Sequence, residues 1–513
     1  MTDNAHEVID SRYLQSCDIP IGVSKIEPFT LLIFGGAGDL SRRKLMPTLF
    51  DLHKNGEFPE HFSILGFGRT GMTDAEFRIL IKEFLKEYSV KSYSESASDK
   101  FISHLYYLSG HVGEGATMRR LSTRIDEISI RTQKGSKDVV YYLAVPPEST
   151  PGIVKALKDH SLCQNAKIIV EKPVGMNQES ARILNAILKD AFDETQIYRI
   201  DHYLGKETVQ NIMFLRFTNP IFERLWNERH IDNVQITVAE DIGIELRGEF
   251  YERNGIVRDI VQNHILQLIG MIAMEPPIGF KADYIRDEKI KVVRSIRAMA
   301  SEYIDRYMVR GQYGGGKINS TTVPSYREEQ KVSPSSVTPT FFAGKFYVDN
   351  LRWAKVPFYV RTGKRLKRRV TEICLQFKQL PLRLFGRTCD VMEPNTLILT
   401  IQPEEKISLR FGVKYPFSEN QIYPVNMDFC YRETFPQEHY SAYERLLIDC
   451  MKGDLSLFVR EDMVDAMWEV VDPIIQKWEQ IPPSDFPNYE AGSWGPTEAD
   501  RLINEDGRRW LTV

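Results

Sequence analysis

The chain has 513 residues, with 66 Lys plus Arg against 70 Asp plus Glu and a net charge of −4. Apolar residues make up 42% and charged residues 27%, an ordinary globular composition with room for two or three domains. The charge balance argues against a dedicated nucleic-acid binder. No apolar run of about 18 residues marks a membrane span. None of the six cysteines forms a Cys-x-x-Cys pair, which speaks against a disulfide framework or a zinc site and for a reducing compartment. Residues 1–28 are mixed polar and carry Asp3, Glu7 and Asp10. They lack an apolar or Arg-rich targeting pattern and read as the loosely ordered leader of a cytoplasmic protein.

From residue 29 to 199 short apolar runs alternate with helical patterns. Residues 29–34, 62–67, 139–145 and 167–170 are strand candidates. Residues 41–54, with Pro47 as a break, and 74–87 are helix candidates. Near-continuous apolar strands between helices predict a Rossmann-like, doubly wound parallel sheet. The second half has longer, partly alternating runs at 234–239, 341–348, 358–361, 372–377 and 396–402. They follow one another with few helices between them. This predicts an α+β domain over 200–513 with a large, mainly antiparallel sheet. Helical patterns return at 259–274 and 441–478, and the Gly, Ser, Thr and Pro-rich stretch 314–339 reads as a long surface loop.

The first strand candidate runs into Gly35, Gly36, Ala37, Gly38, Asp39 and Leu40 and then a helix. Such a turn lets backbone approach a pyrophosphate at a helix N-terminus. The full G-x-G-x-x-G fingerprint is not met, and a plain tight turn is the competing reading. Arg69 follows the second strand, where an NAD site would favour an acidic residue. Arginine there suits a 2′-phosphate, hence NADP, with Arg42 and Arg43 adding to the field. Alone, Arg69 would be a solvated loop charge.

Glu171-Lys172-Pro173 ends another strand. Sites of open α/β sheets lie at strand carboxyl ends, so Lys172 is placed to reach both cofactor and substrate, and Pro173 is a candidate cis residue. Residues 199–206 hold Asp201, His202, Tyr203 and Lys206. His202, Tyr203 and Lys206 supply the donors a phosphate needs. Asp201 would repel a phosphate and needs another task, such as orienting a histidine. His264 lies on an apolar helical stretch, where a lone histidine is commonly a satisfied core residue. Asp259 precedes it by five positions and need not share its helix face. Lys364-Arg365-Leu366-Lys367-Arg368-Arg369 has five basic residues in six. It reads as a solvated loop or as an edge facing an anionic substrate.

Taken together, these segments resemble the glucose-6-phosphate dehydrogenase family. The resemblance rests on Gly-x-x-Gly-Asp-Leu at 35–40, Glu-Lys-Pro at 171–173 and Arg-Ile-Asp-His-Tyr-Leu-Gly-Lys at 199–206. It rests also on Arg-Asp-x-x-Gln-Asn-His at 258–264, Arg-Gly-Gln-Tyr at 310–313 and Gly-Pro-Thr-Glu-Ala-Asp at 495–500. It implies NADP-dependent oxidation of glucose 6-phosphate at C1, the first step of the oxidative pentose phosphate pathway. By that resemblance His264 is the general base and Asp201 its partner. His202, Tyr203 and Lys206 bind the phosphate. Lys172, Glu240, Asp259, Lys364, Arg369 and Gln402 lie at or near the sugar. Gly35, Gly36, Ala37, Gly38, Asp39, Leu40, Arg69, Tyr142 and Lys172 serve the cofactor. No metal is implied, and the C-terminal sheet is expected to build a homodimer or homotetramer. Ala37 replaces a hydroxyl residue common in the family. Val370, Cys374 and Thr400 stand where some animal members carry basic residues, so no second, structural dinucleotide is expected. Two other readings are a different Glu-Lys-Pro sugar dehydrogenase, which would rarely carry the 199–206 block, and a catalytically silent dinucleotide or sugar-phosphate sensor, against which His264, Asp201 and Lys206 all stand intact.

Overall fold

The computed structural model describes residues 25–89, 92–132, 138–379, 393–418, 421–435 and 440–511. Most of the leader, with Cys17, lies outside the described residues, as does Cys389. The first half holds six parallel strands: β1 (Phe29–Phe34), β2 (Phe62–Gly68), β3 (Leu105–Ser109), β4 (Val139–Leu143), β5 (Ala166–Val170) and β6 (Ile197–Arg199). Their order is β3-β2-β1-β4-β5-β6, the doubly wound order with its switch point between β1 and β4. All six residues of β1 are buried. The pleat sends Leu32 and Phe34 to the core on one face, while Phe29, Leu31 and Ile33 face the other. That second core continues without interruption into the rest of the chain, to Trp353, Trp468 and Trp478.

The second half is built on eight strands: β7 (Ile231–Ala239), β8 (Met308–Gly311), β9 (Phe341–Tyr347), β10 (Pro357–Gly363), β11 (Val370–Phe377), β12 (Thr396–Gln402), β13 (Lys406–Lys414) and β14 (Ile422–Cys430). They pair in the order β14-β13-β12-β11-β7-β10-β9-β8. Only β7 and β10 run parallel, so the sheet is mainly antiparallel as expected. Most helices pack on the face of this sheet that carries Phe342 and Phe346, the helix Thr497–Asn504 packs on the other face against Phe341 and Ala343, and the long helix Glu461–Gln480 also packs on Gln178–Ala191 of the first half. Among the described residues no helix is long and apolar enough to cross a membrane.

Several elements differ from expectation. Pro47 does not break its helix: a π-helical segment, Ser41–Leu45, leads directly into Met46–Lys54. Met46 N–H donates to Ser41 five residues back, and Pro47, which has no N–H, sits in the first turn after it. The region 441–478 is two helices, Ala442–Lys452 and Glu461–Gln480, parted at Gly453, whose φ of +80° suits a glycine C-cap. The stretch 314–339 is not a bare surface loop. It carries a small hairpin, Gly316–Ile318 with Thr321–Val323, and a short turn of helix that buries Tyr326, whose hydroxyl donates to Glu252 at 2.6 Å.

Candidate active site

The glycine turn lies at the switch point. Gly35 has φ +85°, and a Cβ there would stand 2.3 Å from the Ala144 carbonyl oxygen. A Cβ on Gly36 would stand 2.6 Å from the Cα of Gly66. Glycine therefore lets the turn lie flat on the ends of β2 and β4, tied by Gly35 N–H to Phe67 O at 2.8 Å. The helix that follows begins at Asp39, with Gly38 O accepting from Arg42 N–H at 2.9 Å, and Gly38 has no side chain to cap it, which leaves its donor end open to an anion. Ala37, Gly38 and Leu40 are partly exposed and Asp39 is exposed. Arg42 and Arg43 do not add free charge here. Arg42 pairs with Glu87 and lies over the rings of Phe84 and Tyr88, and Arg43 pairs with Asp39 at 2.7 Å. Arg69, just beyond β2, is exposed. Tyr142 offers no surface to a dinucleotide: it is fully buried on β4, with its hydroxyl donating to Glu171 at 2.5 Å. Tyr443 donates to the same oxygen at 3.3 Å.

Lys172 follows β5, and the Lys172–Pro173 bond is cis. Its ammonium crosses to the second half, donating to the Asp259 carbonyl at 2.9 Å and to His264 Nε2 at 2.8 Å. The Asp259 carboxylate lies 3.6 Å away. Asp259 and His264 share this lysine because Val257–Ile265 is a π-helix: Leu266 N–H reaches back five residues to Val261 O. Residues five apart then fall on the same side of the helix, a relation that α-helical spacing hides. Asp201, just past β6, accepts from His264 Nδ1 at 2.5 Å and from the Tyr203 N–H at 2.9 Å. Burial opposes its charge, but His264 and then Lys172 outweigh that and hold the carboxyl far below its usual range. An ionised Asp201 fixes the His264 proton on Nδ1, so Nε2 carries the lone pair. Burial, helped by Lys172, keeps the His264 pKa below that of a free histidine against the opposing pull of Asp201.

Two aromatic rings flank the base. Tyr203 stacks on His264 at 4.0 Å between ring centroids, and His202 meets it edge-on at 4.5 Å while stacking on Tyr443. Burial first, then His264 and Lys172, holds His202 neutral. The Tyr203 hydroxyl lies 3.3 Å from Thr371 Oγ1, which accepts from Gln402 Nε2 at 2.9 Å. Lys206 donates to Gln402 Oε1 at 2.9 Å. Burial and the nearby, exposed Arg369 depress its pKa, so an added anion would relieve both cations.

The basic run 364–369 divides. Lys364 is 1% exposed and pairs with Glu240 and, at 3.4 Å, with Asp259. Arg365 pairs with Glu329, Arg368 lies over Trp494, and Arg369 alone faces the Lys206 group. The site is thus a ladder of alternating charge from Glu240 through Lys364 and Asp259 to Lys172, closed by the neutral His264 and the ionised Asp201, with a cationic pocket beside it. Asp201, His202 and His264 bring three potential ligand atoms within 4.8 Å. A metal reading fails on chemistry, since the Lys172 ammonium already stands at His264 Nε2 and Asp201 holds Nδ1. Thr371 and Tyr443 also shape the site, through the hydrogen bonds to Tyr203 and Glu171, but the sequence alone did not mark them. Thr371 and Tyr443 lie in unremarked strand and helix positions, whereas the Glu-Lys-Pro turn did point to Glu171.

Residues 32–211 match the family model "Glucose-6-phosphate dehydrogenase, NAD binding domain", and residues 213–511 match "Glucose-6-phosphate dehydrogenase, C-terminal domain". The chain is 44% identical over 491 residues to a glucose-6-phosphate 1-dehydrogenase of Aggregatibacter actinomycetemcomitans, covering 95% of this chain and 98% of that one. It is 41% identical over 486 residues to the Bacillus subtilis protein of the same name, covering 94% and 98%. A solved glucose-6-phosphate dehydrogenase in complex with its substrate glucose 6-phosphate superposes with a TM-score of 0.86 at 31% identity, covering 95% of this chain and 100% of that one. The Mycobacterium avium enzyme does so at 0.81 and 35%, covering 94% and 99%.

Proposed function

Because the chain belongs to the glucose-6-phosphate dehydrogenase family, we propose that it oxidises its sugar through the buried pair His264 and Asp201, with Lys172 as the hinge between cofactor and substrate. The reaction is the NADP-dependent oxidation of glucose 6-phosphate at C1 to 6-phosphoglucono-1,5-lactone. The observation that carries the residue assignment is the geometry at His264: Nδ1 bound to an ionised Asp201, Nε2 facing a cation that a substrate can displace.

Each side chain then has a task. Lys172 leaves Nε2 to the C1 hydroxyl and stays near it as a donor. His264 Nε2 accepts the hydroxyl proton, and Asp201 stabilises the imidazolium that results. Positioned proton removal of this kind contributes about 10²–10⁴ in rate. His202, Tyr203, Lys206 and Arg369 gather the phosphate, with Gln402 orienting Lys206. Glu240, Asp259 and Lys364 exchange their mutual pairs for sugar hydroxyls. The flat glycine turn and the uncapped helix start fit a dinucleotide pyrophosphate, and Arg69 is set to meet the 2′-phosphate. When bound, NADP⁺ supplies the hydride acceptor.

The same reading includes a cytoplasmic protein that forms a homodimer or homotetramer through the second sheet. It is supported by Tyr423 and Met427, which stand exposed on β14. The deciding experiment follows reduced-nicotinamide absorbance with glucose 6-phosphate or glucose, and with NADP⁺ or NAD⁺. Turnover with the phosphorylated sugar and NADP⁺ is expected. Its absence would sink the reading.

A further inference from the structure

The turn that carries Lys172 is held along its backbone by the second half of the chain. On the helix Glu461–Gln480, Trp468 Nε1 donates to the Val174 carbonyl at 2.9 Å, and Asp472 accepts from the Gln178 N–H at 2.7 Å. One heptad earlier, Asp465 takes the Gln178 amide at 3.2 Å and Arg182 at 2.6 Å. One heptad later, Glu479 takes Arg258 at 2.8 Å. Positions a heptad apart share a helix face, so one acidic stripe gathers the turn, the helix after it and Arg258.

Arg258 ties the same turn to the helix of the base itself. It lies in the π-helical segment Val257–Ile265 with Asp259 and His264, and its side chain is largely buried. Its Nε donates to the Met176 carbonyl at 2.8 Å, while a terminal nitrogen holds Glu479. The rigid guanidinium fork serves a carbonyl and a carboxylate at once. Lys172 answers from the other side, with its ammonium on the carbonyl of Asp259, the residue after Arg258. Each partner thus gives a side chain to a backbone carbonyl of the other.

Resting on the reading that His264 is the base and Lys172 its neighbour, we propose that Arg258 is a positioning residue of the dehydrogenase: by holding the Met176 carbonyl it fixes the Glu-Lys-Pro turn against the helix of the base and sets Lys172 at His264 Nε2. Lys172 is a point charge on a flexible stem, so its ammonium is only as well placed as the backbone it leaves. An error of about 1 Å at the reacting atoms can cost about 10²-fold in rate. When the sugar hydroxyl takes the place of the ammonium at Nε2, the tie at Met176 keeps Lys172 beside it.

The test is a double-mutant cycle in full-length enzyme, with Arg258→Met, Lys172→Met and the two combined. Steady-state kcat and KM are measured with glucose 6-phosphate and NADP⁺. Arg258→Met should lower kcat by about tenfold or more, with KM for glucose 6-phosphate within about threefold because the phosphate pocket is untouched. In the Lys172→Met background the same substitution should change kcat by less than about twofold, since the residue it positions is gone. A merely structural role would lower kcat by the same factor in both backgrounds, and that result overturns the proposal. So does an Arg258→Met enzyme with wild-type kcat. Arg258→Gln, which keeps a polar head, takes its place in the cycle if Arg258→Met does not fold. An error in the underlying reading shows separately, as an unchanged kcat in Lys172→Met with Arg258 intact, and it removes both residues from the mechanism.

Discussion

Lys172 Nζ stands 2.8 Å from His264 Nε2, where the proton of the sugar hydroxyl has to arrive. Without substrate the base is therefore occupied, and by a residue whose backbone leaves a strand of the cofactor sheet. Replacing Lys172 with Met should free Nε2 but remove a cation that depresses the His264 pKa. The acid limb of kcat/KM should move up, and kcat should fall by about 10²-fold as C1 positioning is lost. Steady-state kinetics between pH 5 and 9 would read both, and an unchanged kcat would remove Lys172 from the mechanism.

His264→Asn should lower kcat by about 10²–10⁴-fold with KM nearly unchanged, because the lost interaction belongs to the transition state. Asp201→Asn should approach that loss, since an amide no longer fixes the proton on Nδ1. A kcat within a few-fold of wild type for either variant would mean that the base has been misassigned.

Lys206→Ala tests the phosphate pocket. A charge-assisted contact is worth about 1.5–3 kcal/mol, so KM for glucose 6-phosphate should rise about 10- to 100-fold. KM for glucose should move little. Equal effects on the two sugars would place the phosphate elsewhere.

Arg69→Ala should lower the preference for NADP⁺ over NAD⁺ by about tenfold or more, measured as the ratio of kcat/KM values. Arg42 and Arg43 are already paired, so neither is placed to compensate. A preserved ratio would show that the 2′-phosphate is read by other groups.

The pH dependence follows from burial. His264 and His202 both lie below the ordinary histidine value, burial being the first cause in each. The base is competent above its own pKa, so kcat/KM should fall with acid only below pH 6.5. The unfolded chain binds these protons more readily than the folded one. Stability contributed by the two neutral rings is thus whole above about pH 6.5 and declines as pH drops below it. Thermal unfolding from pH 7.5 to 5 should show that decline, weakened in a double variant with Asn at both positions.

Much of this was legible in the residues because the strong motifs sit where geometry is least free. The glycine turn, Glu-Lys-Pro and the 199–206 block all end strands of one buried parallel sheet, so apolar runs locate them. What escaped depended on partners or on helix period. Residues 364–369 look like one basic patch until Glu240, Glu329 and Trp494 claim three of its members. β13 and β14 escaped because their alternation is shallow and much of β14 is exposed. Thr371 is one threonine in a strand, and nothing local marks its hydroxyl as the junction between Tyr203 and Gln402.

The π-helical segment Val257–Ile265 makes the catalytic geometry a matter of counting. Such a segment accommodates one residue more than regular winding would. Wound as a regular α-helix, the same residues would set His264 five steps of 100° from Asp259, about 140° round the axis. Every active-site side chain would survive in the sequence, and Asp201 and Lys172 would no longer meet the ring. The catalytic geometry is thus held by the winding of this stretch as well as by its residue types.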